Sequence, residues 1–209
     1  MKATMKKTGL LLFLFGLIQI SGGCIMEDRV VELVVNETTC VEFVEDQSSV
    51  SFVTPATVDY ADMLNEILDD NDISREDIVS ARLVSASYGV TEFPTHADWL
   101  ITGSITVQRE DSTGTADTLA NTLWEYQGVS VSASLGKKIP MVLNSDGVGV
   151  LNRALDDFLA GGSPVLTFRV NNSGVAPAPS TSDHLVFAWQ GCIVLDIVAK
   201  ADIEVPDPL

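Results

Sequence analysis

The chain has 209 residues, with 12 basic and 29 acidic side chains, and its formal net charge is −17 at pH 7. This negative charge argues against nucleic acid and anionic lipid headgroups as partners, because both would repel the protein. The length is ample for one hydrophobic core, and nothing in the composition requires a second domain.

The first segment has the composition of a secretory signal peptide. Lys2, Lys6 and Lys7 form a basic start, and residues 10–20 form a short apolar run. A hydrocarbon layer of about 30 Å needs roughly 20 apolar helical residues, so this run is too short to span a membrane. The basic start, the short apolar centre and the small residues that follow indicate a leader for export.

A cysteine follows the small residues at the end of this leader. The sequence there is Ile20, Ser21, Gly22, Gly23 and Cys24. It resembles the lipobox of bacterial lipoproteins, in which the cysteine is diacylated and becomes the mature N-terminus. The resemblance implies a lipoprotein signal peptide over residues 1–23 and a palmitate-type anchor on Cys24. The alternative is an ordinary signal peptide whose cysteine follows two glycines by chance.

The same resemblance has consequences for charge and location. Removal of residues 1–23 takes away three lysines and no acid, so the formal charge changes from −17 to −20. Residues 24–29 would form a lipid-anchored tether, and two acyl chains attach a protein stably to a membrane. In lipoproteins, aspartate after the cysteine favours the inner membrane. Ile25 at this position therefore implies the outer membrane of a bacterial cell envelope.

β-Branched runs fill the start of the mature chain. Residues 30–35 and 41–44 predict two strands separated by a turn at 36–39, and residues 50–54 predict a third strand that ends at Pro55. We interpret the acids of this region as solvent-facing or edge positions. They are Glu32, Glu37, Glu42, Glu45 and Asp46.

Two segments have the period of an amphipathic helix. The apolar positions of the first are Tyr60, Met63, Leu64, Ile67 and Leu68. The second follows a turn at 144–147, has an apolar face over 150–159 and ends at two glycines, Gly161 and Gly162. A weaker pattern predicts a further short helix over 116–124.

The other segments alternate with the period of strands, and 171–183 predicts a polar loop. The alternating segments are 79–90, 99–108, 129–135, 139–143, 166–170, 185–189 and 193–199. Eight to ten short strands with two helices predict a mainly β protein, an antiparallel β-sandwich forming one domain over 30–209. Jelly-roll connectivity is one option, and an α+β layer is the alternative. The helices would close the open ends of the sandwich.

The order of these elements loosely resembles that of uncharacterised bacterial envelope lipoproteins. The shared features are an amphipathic helix, a Ser-rich strand, and a late helix that leads into a polar loop and a final strand pair. No diagnostic motif accompanies this resemblance, which covers the order of elements alone.

Candidate catalytic residues are few. His96 lies near Asp98, and His184 follows Asp183, but no Gly-x-Ser-x-Gly elbow offers a nucleophile for either. The sequence also has no His-Glu-x-x-His motif, no phosphate-binding glycine loop and no Cys-x-x-Cys pair. We therefore expect a protein that is not an enzyme and needs no cofactor or metal. A hydrolase that uses carboxylates alone is an alternative.

Two features favour a binding role as another alternative. Oxygen-rich clusters at 69–72 and 144–147 offer ligands for calcium, although neither has EF-hand spacing. Trp124 and Tyr126 lie in a polar context and offer a stacking platform for sugar. The sequence therefore predicts a non-catalytic envelope lipoprotein with a structural or binding role and an envelope protein or glycan as partner. The alternative is a carbohydrate- or calcium-binding module.

The cysteines predict one crosslink. The chain has three cysteines, and exported proteins generally pair their thiols. If Cys24 carries lipid, Cys40 and Cys192 are left to form a disulfide that fastens the first strands to the last. The alternative is two unpaired, buried cysteines that act as small apolar residues.

Overall fold

A computed structural model describes residues 29–93, 98–111 and 119–203, with the side chains of these ranges except at 29–31 and 201–203. Within this part the chain forms eight strands. They are β1 Arg29–Gln47, β2 Phe52–Asp59, β3 Ile78–Glu92, β4 Leu100–Glu110, β5 Asn121–Ser130, β6 Ile139–Pro140, β7 Val165–Ala176 and β8 Leu185–Ile203.

The strands form two antiparallel four-stranded sheets. Sheet A has the order β1-β8-β3-β6, and sheet B has the order β2-β7-β4-β5. Successive strands alternate between the two sheets except for β4 and β5, which are neighbours in sheet B. The first and last strands, β1 and β8, are neighbours in sheet A. These two strand orders are those of a jelly roll. The prediction of an antiparallel β-sandwich is confirmed, and its jelly-roll option is the connectivity observed.

The longest pairing joins β1 to β8 in an unbroken antiparallel register from Arg29 opposite Ile203 to Gln47 opposite Leu185. The other edge of sheet A is short, because β6 pairs with β3 through two residues only. β3 follows β8 with three register shifts, which places a β-bulge at each. The pairing of β1 with β8 is therefore the longest and most regular in sheet A.

Two amphipathic helices and two short helical segments connect the strands. They are α1 Tyr60–Asp70, α2 Val131–Ser134, α3 Ser145–Leu159 and a 3-10 turn at Arg75–Asp77. The side chain of Asp59 caps α1, and that of Asn144 caps α3. Gly161, with φ 92°, follows α3 in the left-handed conformation that glycine adopts without strain. The two predicted amphipathic helices are confirmed.

Both long helices close the same end of the sandwich. The apolar faces of α1 and α3 share one core cluster with the inner residues Val107, Leu166 and Leu195 of the two sheets. A second cluster fills the other half of the sandwich and contains the buried rings of Phe43, Trp99 and Tyr126 among others. The prediction that helices close both ends was therefore wrong for the second end.

Two predicted interruptions are absent. β1 and β8 each run through the segment where the sequence predicted a break, at 36–39 and around 190–192. The polar residues at 36 and 38 lie on the outer face of sheet A, as the alternation of exposed and buried positions requires. β7 likewise continues to Ala176, into the segment predicted as a loop.

Three other local predictions were wrong. β2 passes through Pro55, which an edge strand tolerates because one side of its backbone makes no ladder hydrogen bonds. Residues 121–124, predicted as helical, belong to β5, and their apolar side chains pack against α3 and between the sheets. Residues 131–134, predicted as a strand, form α2, whose first turn is capped by Ser130.

Candidate functional site

A row of polar side chains crosses the outer face of sheet B. Asn171 on β7 lies opposite Ser104 on β4, and Ser104 lies opposite Glu125 on β5. Directly opposed residues of antiparallel strands point to the same face, with Cβ atoms about 5 Å apart. The three side chains therefore form a continuous polar strip across three strands.

This strip forms the centre of a depression with a volume of about 610 Å³. Small-molecule sites commonly have volumes of about 300–1,000 Å³. The polar side chains that line the depression are Thr102, Ser104, Glu125, Gln127, Asn171 and Ser173. They are hydroxyls and amides with one carboxylate, on three hydrogen-bonded strands.

Gly103 shapes the floor of the depression. The register of β4 shifts at this residue against both β5 and β7, which produces a bulge on each side. A Cβ atom here would collide with the carbonyl oxygen of Asn171 and lie 2.7 Å from the hydroxyl of Tyr126. Only glycine allows β7 to approach β4 this closely, so a larger residue at this position would displace β7 or the ring of Tyr126.

Internal hydrogen bonds hold part of the lining in place. The amide nitrogen of Asn171 donates to Thr106 Oγ1 and to the carbonyl oxygen of Arg169, both at 3.2 Å. The hydroxyl of Ser173 donates to the carbonyl oxygen of Thr102 at 3.2 Å. Thr102 Oγ1 in turn accepts a hydrogen bond of 3.0 Å from the backbone N–H of Gly128. These contacts fix the rim of the depression.

The β4 and β5 side of the depression has unused hydrogen-bonding capacity. Among the described residues, the side chains of Ser104, Glu125 and Gln127 form no hydrogen bond or ion pair within the chain. Glu125 and Gln127 are exposed, and Ser104 is half-buried between its neighbours. This arrangement can bind a polar ligand through a hydroxyl, an amide and a carboxylate that are held on rigid strands.

A second polar group lies between the sheets. Glu45 is fully buried and accepts a hydrogen bond of 2.6 Å from Thr54 Oγ1 and one of 3.3 Å from Trp189 Nε1. Burial raises the pKa of its carboxyl group, and the hydrogen bonds from Thr54 and Trp189 oppose this rise. The interpretation of Glu45 as solvent-facing was wrong, because it is an inward position of β1 that alternates with its exposed neighbours Val44 and Asp46.

The aromatic residues considered as a sugar platform lie between the sheets. Tyr126 is buried, and its ring centroid lies 5.0 Å from that of the half-buried Trp124. Trp124 also packs against Tyr88 of sheet A, with 4.7 Å between ring centroids. These rings join the two sheets and do not form an exposed stacking surface.

The oxygen-rich clusters have structural roles at helix ends. Asn144 Oδ1 accepts a hydrogen bond of 2.9 Å from the backbone N–H of Asp146 and so caps α3. Asn71 Nδ2 donates to the carbonyl oxygen of Ile67 at the end of α1, at 2.8 Å. No group of three or more His, Cys, Asp or Glu side chains is placed to hold a metal ion within 29–93, 98–111 and 119–203.

The predicted disulfide is present. Cys40 and Cys192 are directly opposed on β1 and β8, with 4.0 Å between their Cα atoms, and are bonded to each other. The bond lies on the outer face of sheet A and fastens the first strand to the last, as predicted. Cys24, the predicted lipid attachment site, lies outside the described residues.

The two histidines are not brought together with a nucleophile. His96 lies outside the described residues. The carboxylate of Asp98, considered as its partner, accepts hydrogen bonds from the hydroxyls of Ser132 at 2.7 Å and Ser130 at 2.9 Å, which lower its pKa. His184 pairs with Asp46 rather than with its neighbour Asp183.

No protein-family model matches the chain, and no curated protein is significantly similar to it. Among the described helices, none combines the length and the apolar composition needed to cross a membrane.

The sequence did not reveal the depression. Its residues come from three strands, and each is an ordinary surface residue in its own segment. The strict alternation around Ser104 indicated an outward side chain. The strand that contributes Glu125 was missed, because residues 116–124 were predicted to be helical. The pairing of β4 with both β5 and β7 creates the site.

Proposed function

We propose that the protein is an exported, lipid-anchored module of the bacterial cell envelope that binds a partner without catalysing a reaction. The leader and the lipobox-like residues before Cys24 support export and anchoring. The depression on sheet B supports a binding role, because it presents polar groups that the chain itself does not use.

The disulfide is the observation that carries the proposal. Disulfides form and persist in oxidising compartments such as the periplasm and the cell surface. The chain has three cysteines, and the bond between Cys40 and Cys192 uses two of them. Cys24 is left as the cysteine that is available for lipid, which agrees with its place in the lipobox-like sequence.

The position of the anchor would orient the domain. Cys24 and Arg29, where β1 begins, are five residues apart. An extended chain covers at most about 3.6 Å per residue, so the lipid would lie within about 18 Å of this end of β1. The depression lies towards the other end of the sandwich, where Leu100 pairs with Ala176, and would therefore lie on the half of the domain farther from the membrane.

The proposal is tested by labelling with a radioactive fatty acid and membrane fractionation in a bacterial host. We expect the wild type to be labelled and bound to membranes, and Cys24→Ala to be unlabelled. The double variant Cys40→Ser/Cys192→Ser is the matched control and should keep the label, because it retains Cys24. An unlabelled wild type in the soluble fraction, or a labelled Cys24→Ala, would refute the anchor.

A further inference from the structure

The outer face of sheet B holds a set of hydrogen-bonding groups that matches vicinal hydroxyls. A carboxylate such as Glu125 accepts hydrogen bonds only, whereas a primary amide such as Gln127 both donates and accepts, and so does the hydroxyl of Ser104. A pair of neighbouring hydroxyl groups offers the complementary donors and acceptors. Because these side chains project from paired strands, little backbone entropy remains to be lost on binding.

The flank of the depression adds an apolar contact. Val53 on the edge strand β2 lies opposite Asn171, and 57% of its surface is exposed. Its side chain therefore continues the Asn171–Ser104–Glu125 row with a small apolar surface. A ligand that carries hydroxyls along one edge and C–H groups on its face would contact both parts of this row.

Charge selects against the other classes of polar ligand. Without its leader, the chain has a formal charge of −20, and Glu125 lies at the β5 end of the row. Phosphate and carboxylate ligands would therefore be repelled. Calcium takes six to eight oxygen ligands, often from several carboxylates. Glu125 is the one carboxylate among the described lining residues. A negatively charged chain with a single carboxylate in the depression therefore favours a neutral ligand over an anion or calcium.

We propose that this depression binds a neutral oligosaccharide, with Ser104, Glu125 and Gln127 as its main polar contacts. The inference rests on the binding role proposed above and is independent of the lipid anchor. The ligand would be a segment of a neutral polysaccharide chain that reaches the outer face of sheet B.

Affinity electrophoresis of the purified full chain tests this proposal. Native gels would contain one of a panel of neutral polysaccharides (dextran, mannan, arabinoxylan, mixed-linkage β-glucan and galactomannan), or alginate as an acidic comparison. We expect at least one neutral polysaccharide to retard the wild type. Ser104→Leu should abolish the retardation by filling the depression, and Glu125→Ala should weaken the apparent affinity at least tenfold.

Matched substitutions on the outer face of sheet A control for general effects. Ser85→Leu and Glu42→Ala change exposed strand residues of the same types and should leave the retardation unchanged. Thermal melting identifies any variant that fails to fold, and Glu125→Ala keeps the test valid if Ser104→Leu is unstable. Migration unaffected by every neutral polysaccharide, retardation by alginate alone, or equal retardation of wild type and Glu125→Ala would each overturn the proposal.

The assay also separates this inference from the anchor. The chain can be purified from membranes with detergent or from the soluble fraction, and binding to polysaccharide is measured in either case. A soluble protein that binds a neutral polysaccharide would refute the anchor and support the site. A membrane-bound protein that binds no neutral polysaccharide would support the anchor and refute the site.

Discussion

Glu45 places a carboxyl group in the core, where its charged form is disfavoured. Its two oxygens accept hydrogen bonds from Thr54, nine residues away, and from Trp189, 144 residues away. The nearby Tyr126 has a raised pKa because of its burial and the charge of Glu45. A protonated carboxyl can keep both hydrogen bonds without the cost of a buried charge.

Glu45→Gln should therefore stabilise the protein relative to the wild type as the pH rises. A carboxyl whose pKa is raised by folding contributes stability below its unfolded pKa, and this contribution is lost as the pH rises through the folded pKa. Glutamine does not ionise; its amide oxygen can accept from Trp189 Nε1, and its amide nitrogen can donate to the hydroxyl of Thr54. Urea unfolding of both proteins at pH 4 and pH 8 measures the difference.

The difference in unfolding free energy, variant minus wild type, should be larger at pH 8. Glu45→Ala leaves the hydroxyl of Thr54 and the N–H of Trp189 without a partner and should cost roughly 2–4 kcal/mol at pH 4. Its cost should be smaller at pH 8, because alanine, like glutamine, does not ionise. An equal difference at pH 4 and pH 8 for Glu45→Gln would contradict the buried, disfavoured charge.

The burial and the partners of single residues could be predicted from the sequence to different extents. The pairing of Cys40 with Cys192 was predicted from a count of three cysteines, with Cys24 set aside because of the lipobox-like residues before it. The burial of Glu45 was available from its alternation with Phe43 on β1. Its partners were not available, because Thr54 and Trp189 meet it only after β1 has paired with β8 and turned into β2.

At the scale of elements, Arg75 joins the two long helices. Its guanidinium lies 3.8 Å from the ring centroid of Phe158 and donates to the carbonyl oxygens of Phe158 and Gly162, both at 3.4 Å. It also donates to Asn65 Oδ1 on α1, at 3.0 Å. A cation at the C-terminal end of α3 is favourable for the dipole of this helix. The 3-10 turn that carries Arg75 therefore fastens α1 to α3.

Arg75→Ala should lower the unfolding free energy by about 2 kcal/mol, through the loss of these hydrogen bonds and of the contact with the ring. Arg82→Ala is the matched control. Arg82 is exposed and forms a surface ion pair with Asp196, at 3.0 Å, so its loss should cost less than about 1 kcal/mol. Chemical denaturation compares the two, and equal losses would contradict the fastening role of Arg75.

The helices were the elements that the sequence predicted best, because the periodicity and capping residues of a helix lie within its own segment. The apolar positions of α1 and the Asn144 cap of α3 are local signals. The strands were less accessible. Polar residues at 36 and 38 of β1 resembled a turn, yet they are outward positions of one strand that β8 supports along its whole length.

At the scale of the whole molecule, the jelly roll joins residues that are far apart in the chain. Each sheet mixes early and late strands, and the Cys40–Cys192 disulfide fastens β1 to β8 across 152 residues. The number of strands and the sandwich class follow from periodicity. Strand order does not, because alternation in one segment carries no information about its partner.

The disulfide should contribute strongly to stability. Closing a loop of 152 residues restricts the unfolded chain by roughly 5 kcal/mol in the chain-entropy model, which is an upper figure. Cys192→Ser should therefore lower the melting temperature by several degrees. Calorimetry under non-reducing conditions measures this effect. Cys24→Ala is the control and should melt like the wild type, and an unchanged melting temperature for Cys192→Ser would contradict the predicted contribution.

The central claim is an exported domain that is anchored through Cys24 and closed by its other two cysteines. The most direct test is the intact mass of the protein isolated from a bacterial host without reducing agent. We predict the mass of residues 24–209 plus lipid, less two hydrogens for the disulfide. The mass of the whole unprocessed chain, or of a chain cleaved elsewhere and free of lipid, would contradict the claim.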